Sequence, residues 1–198
     1  MKLKLLILFS SLTTLFASCQ TATNKTLEEF KKVDLSLQKS NSLLIDNVYT
    51  KLYEKIQAEK SKNPLLAFNA DTLFQATEDA FKFIDNLKQK INELDSSGTR
   101  LDIGSKLLLN TSTSTDLTNT LKAVYVSCTS LLVDKQKKSE AENIFIVIKE
   151  IKKSKNWTSK YFDQTPTIAV ITILNKFKND CLNLAVFSLT EMKNKLVD

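Results

Sequence analysis

The chain has 198 residues, 42% of them apolar, with two glycines, two prolines and no histidine, and its 28 basic against 22 acidic side chains give a formal charge of +6. A single domain of this length buries a core without staples, and so little turn glycine argues against sheet-rich folds and for long helices joined by polar loops. The missing histidine excludes Ser-His-Asp and Cys-His nucleophile systems and histidine-ligated metals, and a lone arginine, Arg100, among scattered lysines argues against nucleic-acid reading.

Residues 1–18 read as a lipoprotein signal peptide. Lys2 and Lys4 form its charged start and Leu5 to Leu15 its apolar run. Leu15-Phe16-Ala17-Ser18-Cys19 resembles a bacterial lipobox, which makes Cys19 the lipidation site. The alternatives are plain secretory cleavage at Ala17 or Ser18, or a short membrane anchor, and the apolar run is short for a span. Removing Lys2 and Lys4 leaves 26 basic residues against 22 acids, so the mature chain carries about +4. Residues 19–25 are a short N-terminal tether with no acidic run, and 26–198 form one helical domain.

From Thr26 to about Lys60 an amphipathic helix is expected, with Phe30, Val33, Leu37, Asn41, Leu44, Val48, Leu52 and Ile56 on one stripe. Asn41 is its polar member, either a buried residue that fixes register or a solvated edge position. Ser61 to Asn69, with Pro64, reads as a turn. A second helix is expected from Asp71, as N-cap, to Leu94, and Gly98 follows as a stop. Ser96 to Thr115 reads as a long loop in which Leu107, Leu108 and Leu109 form one helical turn and the tract Asn110 to Thr115 stays irregular. Asp116 or Thr115 then caps a helix that carries Leu117, Leu121, Val124 and Cys128 and ends at Lys135, Lys137 and Lys138, where cations suit the dipole. Ser139 to Lys153 is read as a helix, with a buried strand at Ile144 to Ile148 as the alternative. Last comes a long core helix from Thr165, as N-cap, and Pro166, through Val170, Leu174, Phe177, Cys181, Leu184 and Ser188, to Met192.

Chemistry is sparse. No Gly-rich phosphate loop is present, and the carboxylate pairs Glu28/Glu29, Glu78/Asp79 and Glu140/Glu142 sit beside lysines on outer faces. No catalytic residue, metal or cofactor is implied. Cys128 and Cys181 occupy apolar-stripe positions on helices that pack as neighbours, and two forms are open: a disulfide, or inert packed thiols. Asn179, Asp180 and Asn183 form a polar cluster on the last helix, either hydrogen-bonded inside the bundle or facing a partner.

Trp157, Phe162, Pro166, Thr172 and Leu174, followed by Asn179-Asp180 and Asn183, resemble the N-terminal domain of GldM, the gliding-motility and type IX secretion protein. Ser36 to Asn41 and Ala80 to Leu87 are similar to two further segments of that family. The resemblance implies an all-helical periplasmic domain in a dimeric envelope assembly, in which the family's transmembrane helix works with the partner GldL. This chain departs from that pattern in its lipobox leader, in ending at Asp198 and in Ala185, where the family usually has Glu.

The expectation is therefore an all-α fold, a single bundle of about four to six helices with a long C-terminal core helix. Its function is expected to be that of a lipid-anchored interaction or structural module on the periplasmic side of the envelope, a short paralogue of the GldM N-terminal domain. Its expected partners are itself, as a homodimer, or type IX secretion components, with no nucleic acid. The alternative is a helical lipoprotein that holds a small hydrophobic ligand in a cavity lined by Phe74, Phe81, Tyr125 or Phe187.

Overall fold

The computed structural model describes residues 25–95 and 103–196, so the leader, Cys19 and Gly98 lie outside the described residues. Among these, eight helices and no strand occur. The first, α1, is a rod with an α-helical stretch at 25–44, a π-helical turn at Ile45–Tyr49 and a second α-helical stretch at Thr50–Ala58. The others are α2 (Pro64–Leu94), α3 (Ile103–Leu109), α4 (Thr111–Thr129), α5 (Lys135–Ile144), α6 (Val147–Lys153), α7 (Trp157–Phe162) and α8 (Thr167–Asn194). The all-α bundle with its long C-terminal core helix is as expected, and its helix number is higher because the helix expected from Ser139 is split in two and because α3 and α7 form where no full helix is expected.

Local chemistry accounts for the boundaries. α2 starts seven residues before Asp71 because the Asn63 side chain accepts from the Leu66 amide at 3.1 Å and Pro64 occupies the first turn, where its missing N–H is harmless. The expected turn at Ser61 to Asn69 is thus half helix, and Asp71 accepts instead from the Tyr53 hydroxyl at 2.6 Å and from Gln57 Nε2 at 2.9 Å. The tract expected to be loop is likewise helical: Asn110 accepts from the Ser112 amide at 3.0 Å and caps α4, while Ile103 to Leu109 make α3. Lys135, Lys137 and Lys138 do not end α4. They open α5, capped by Asp134, and Lys137 offsets its unfavourable dipole position by pairing with Glu140 at 3.3 Å and Glu191 at 3.4 Å. The segment expected as one helix from Ser139 breaks at fully buried Phe145, which separates α5 from α6. α8 begins one residue late, with Pro166 rather than Thr165 at the cap.

α1 departs from its expected stripe for a reason visible in its register. Its inward positions run Asp34, Asn41, Tyr49 and Ile56, all buried. The middle step is one residue longer than the heptad steps on either side. That extra residue is absorbed by the π-turn, where the Ile45 carbonyl accepts both the Thr50 amide and, at 3.1 Å, its hydroxyl. Upstream of the turn the helix is consequently rotated, so Val33 is 49% exposed and Asp34 takes the inward place.

α8, 28 residues and about 42 Å long, lies at the centre against α1, α2, α3, α4 and α5. α7 seals its N-terminal half with aromatic rings. α3 crosses α8 closely at Gly104, where an added Cβ would stand 3.3 Å from the Val170 Cβ. The turn from α7 to α8 is closed by Gln164 at φ 54°, a left-handed conformation uncommon for a residue with a side chain.

Candidate functional site

The inward positions of α1 above its π-turn do not meet an apolar core. They meet a polar clasp built with α2 and α8. Asp34 accepts from Asn175 Nδ2 through one carboxylate oxygen and from Gln38 Nε2 at 2.6 Å through the other. Asn175, 1% exposed on α8, in turn accepts from Lys88 Nζ at 2.6 Å. Asp85 on α2 accepts from Lys178 Nζ at 2.6 Å and lies 3.7 Å from Lys88 Nζ. Lys178 also sits over the Phe81 ring, 5.0 Å from its centroid. Every charge in the cluster therefore has an opposite charge or an amide against it, as burial demands.

Beneath the clasp lies a half-open cavity of about 280 Å³, lined by side chains of α1 (Gln38, Asn41, Ser42), its π-turn (Ile45, Asp46), α2 (Asp85, Lys88) and α8 (Asn175, Lys178). Asn41 is 4% exposed, and its Oδ1 has no hydrogen-bond partner. A buried carbonyl left unpaired costs about 1–3 kcal/mol, so this orphan needs a physical reason.

The side chains singled out in the sequence fall elsewhere. Asn179, Asp180 and Asn183 are half-buried along α8 and make no side-chain hydrogen bonds among the described residues. Asp180 is held protonated to unusually high pH: burial pushes its carboxyl up to about 6, with Lys176 pulling the other way. Cys128 and Cys181 are both buried and are free thiols. Burial pushes Cys128 up to about 12 and Cys181 well above the ordinary thiol range, so neither is a thiolate nucleophile at neutral pH.

The motif residues meet in the core. Trp157, 1% exposed, sits edge-on to Tyr161 at 5.7 Å and to Phe177 at 5.9 Å between ring centroids, and Phe162 is edge-on to Phe177 at 6.3 Å. The Trp157 indole donates to Thr118 Oγ1 at 2.9 Å, and Thr118 donates on to the Ser114 carbonyl at 2.7 Å. Leu174 is fully buried on the same helix as Phe177, Thr172 returns its hydroxyl to the Ile168 carbonyl at 3.0 Å, and Pro166 caps the helix. These positions hold α7 onto α8 and α4; they touch no cavity described above.

The rings proposed for an apolar ligand chamber are engaged with protein neighbours instead. Phe74 stacks on Tyr49 at 5.0 Å and Tyr53 at 4.1 Å, Phe81 packs on Tyr49 and Lys178, the Tyr125 hydroxyl donates to Glu142 at 3.0 Å, and Phe187 lies under Lys137.

Asp34, Lys88, Asn175 and Lys178 went unnoticed in the sequence. A signal was present for the first: Asp34 stands seven residues before Asn41 and four before Gln38, which places all three together on a helix.

The bundle is thus filled by its own aromatic and aliphatic side chains, its two cysteines are buried, and no cluster of metal-ligating side chains occurs among the described residues. The GldM N-terminal domain model matches residues 26–195, and the chain belongs to that family, which contributes to the gliding-motility and type IX secretion machinery and is not a known enzyme family. No curated protein matches the chain. No helix of the described residues is long and apolar enough to cross a membrane.

Proposed function

We propose that the chain is a lipid-anchored helical interaction module, a paralogue of the GldM N-terminal domain that faces the periplasm and engages itself or type IX secretion components. The family match over 26–195 carries this reading. The lipobox at Cys19 supports an anchor, since each buried acyl methylene adds roughly 0.8 kcal/mol and two or more chains hold stably. Packing supports protein contact over an apolar ligand chamber: the aromatic side chains fill the interior, while Leu35 on α1, Leu65 and Phe68 on α2, and Val133 and Ile146 in the links flanking α5 are left more than half exposed.

Two measurements test it. Affinity capture of the tagged chain from envelope membranes is expected to recover a gliding or type IX secretion component, or sedimentation to show a concentration-dependent dimer. Recovery of neither refutes the module. Separately, Cys19→Ala is expected to move the chain from the membrane fraction to the soluble periplasm, and unchanged partition removes the lipid anchor.

A further inference from the structure

We propose that the cavity under the π-turn of α1 is a binding site for a small zwitterion of the amino-acid or short-peptide class. This is independent of the protein-partner reading. Three observations place a ligand there. First, Asn41 lines the cavity, and its side-chain carbonyl oxygen is buried and left without a donor. Second, the π-turn at Ile45–Tyr49 forms one wall, and single π-turns inside α-helices are frequent at functional sites. Third, Lys88 and Lys178 have side chains only 17% and 16% exposed, held against the cavity by Asn175 and Asp85. Each ammonium carries three donors, and neither lysine uses all of them on those partners.

The charge pattern selects the ligand. On the α1 side the wall is formed by the Asn41 side chain and the Asp46 carboxylate, which accepts from the Ser42 hydroxyl at 3.3 Å. On the α2 and α8 side it offers the ammonium groups of Lys88 and Lys178 around Asp85. Formal charges on the lining therefore cancel, two acids against two lysines, with Asp34 behind the wall satisfied by Gln38 and Asn175. A bare anion must compete with Asp85 for both lysines, and a bare cation must approach two ammonium groups. A ligand with an N–H donor or ammonium at one end and a carboxylate at the other meets both walls without leaving a charge unpaired. At about 280 Å³ the cavity falls below the usual range for larger organic ligands and suits a molecule of this size.

Glycylglycine titrated into the purified full-length chain tests the site, with acetate and methylammonium as single-charge probes. Saturable binding with a Kd near or below about 1 mM is expected for glycylglycine alone. At about ten times Kd it should raise Tm by roughly 3–5 °C. Amide resonance shifts should centre on Asn41, Asp46, Asn175 and Lys178. Asn41→Leu and Lys178→Met should each weaken binding at least tenfold while melting cooperatively. The proposal is overturned by no saturation up to about 10 mM, by shifts centred elsewhere, by acetate or methylammonium binding as tightly, or by folded variants that bind as the parent does. Should either variant fail to fold, the other variant and the resonance map of the parent chain decide.

Discussion

Replacing Trp157 by Ala removes the largest fully buried side chain and the residue that joins α7 to both α8 and α4. Truncation of a buried tryptophan typically costs about 3–5 kcal/mol through lost burial and the cavity left behind. Two edge-on ring contacts and the hydrogen bond to Thr118 place this site at the upper end of that range. Thr118 still donates to the Ser114 carbonyl after the change, so no hydroxyl proton is orphaned and the polar part of the loss stays near 1 kcal/mol. Trp157→Phe separates the two parts: it keeps most of the ring packing, loses the hydrogen bond, and should cost only about 1–2 kcal/mol. Urea unfolding followed by far-ultraviolet circular dichroism reads both variants without relying on the tryptophan signal. The Ala variant should lose about 4 kcal/mol at an unchanged m value, equivalent to roughly 8–16 °C in Tm for a chain of this size. A loss below about 1 kcal/mol for Trp157→Ala would show that α7 does not dock as described.

Asp180→Asn should change the pH profile. Its raised folded pKa of about 6 means the native state holds a proton that the unfolded state releases near 4, so wild-type stability falls as pH rises from about 4 to 6 and then levels. The variant should melt higher at pH 7.5, by at most about 3 kcal/mol, with that fall removed; equal Tm values for both proteins at pH 7.5 would contradict the burial. Asp34→Ala should cost about 2–4 kcal/mol because the Asn175 and Gln38 amide groups lose their acceptor, and Asp34→Leu combined with Asn175→Leu should recover part of it; additive losses in the double-mutant cycle would break the clasp apart. Gly104→Val should destabilise by about 1–3 kcal/mol, since even a lone Cβ there comes 3.3 Å from Val170, a gain in Tm being the refuting result. Ellman's reagent should find Cys128 and Cys181 silent in the native chain and both reactive once denatured without reductant; absence of those two thiols would mean a bridge.

How far the fold could be read from sequence depends on which interaction sets each feature. The long helices were legible because three- and four-residue apolar spacing is a property of the chain alone: Leu73, Ala80, Ile84, Leu87 and Ile91 in α2 and Val170, Leu174, Phe177, Cys181, Leu184 and Ser188 in α8 are buried at that spacing, although Leu94 at the end of α2 is exposed. Boundaries were less so. Asn63, Asn110 and Asp134 each outcompete the nearby Asp71, Asp116 and Ser139 as caps, and all are ordinary cap residues, so choosing among them depends on where the packed face begins. The break at Phe145 is tertiary too, since a buried ring turns the chain where periodicity alone continues.

The candidate cavity was illegible for a sharper reason. An apolar stripe is expected to stay in phase along a helix, and a π-turn breaks that phase by one residue without any Pro or Gly to announce it. Counting heptads back from Ile56 through Tyr49 reaches Ser42, whereas the buried residue is Asn41; counting on from Asn41 reaches Val48, whereas the buried residue is Tyr49. The mismatch is the signature, and it carries a physical implication. Had the helix stayed regular, Ser42 would point inward in place of Asn41, and the phase of Asp34 toward Asn175 would be lost with it. The extra residue therefore lets one continuous rod bury aromatic and aliphatic residues against α2 at its lower end while presenting Asp34, Gln38 and Asn41 to α8 at its upper end. Deleting one residue from the π-turn, for instance Asn47, should restore a regular helix, keep Tyr49 and Ile56 packed and swing Asp34 away from Asn175. The expected result is a folded protein that has lost the Asp34–Asn175 coupling energy and glycylglycine binding together, and retention of both would show that the π-turn does not set the register of the site.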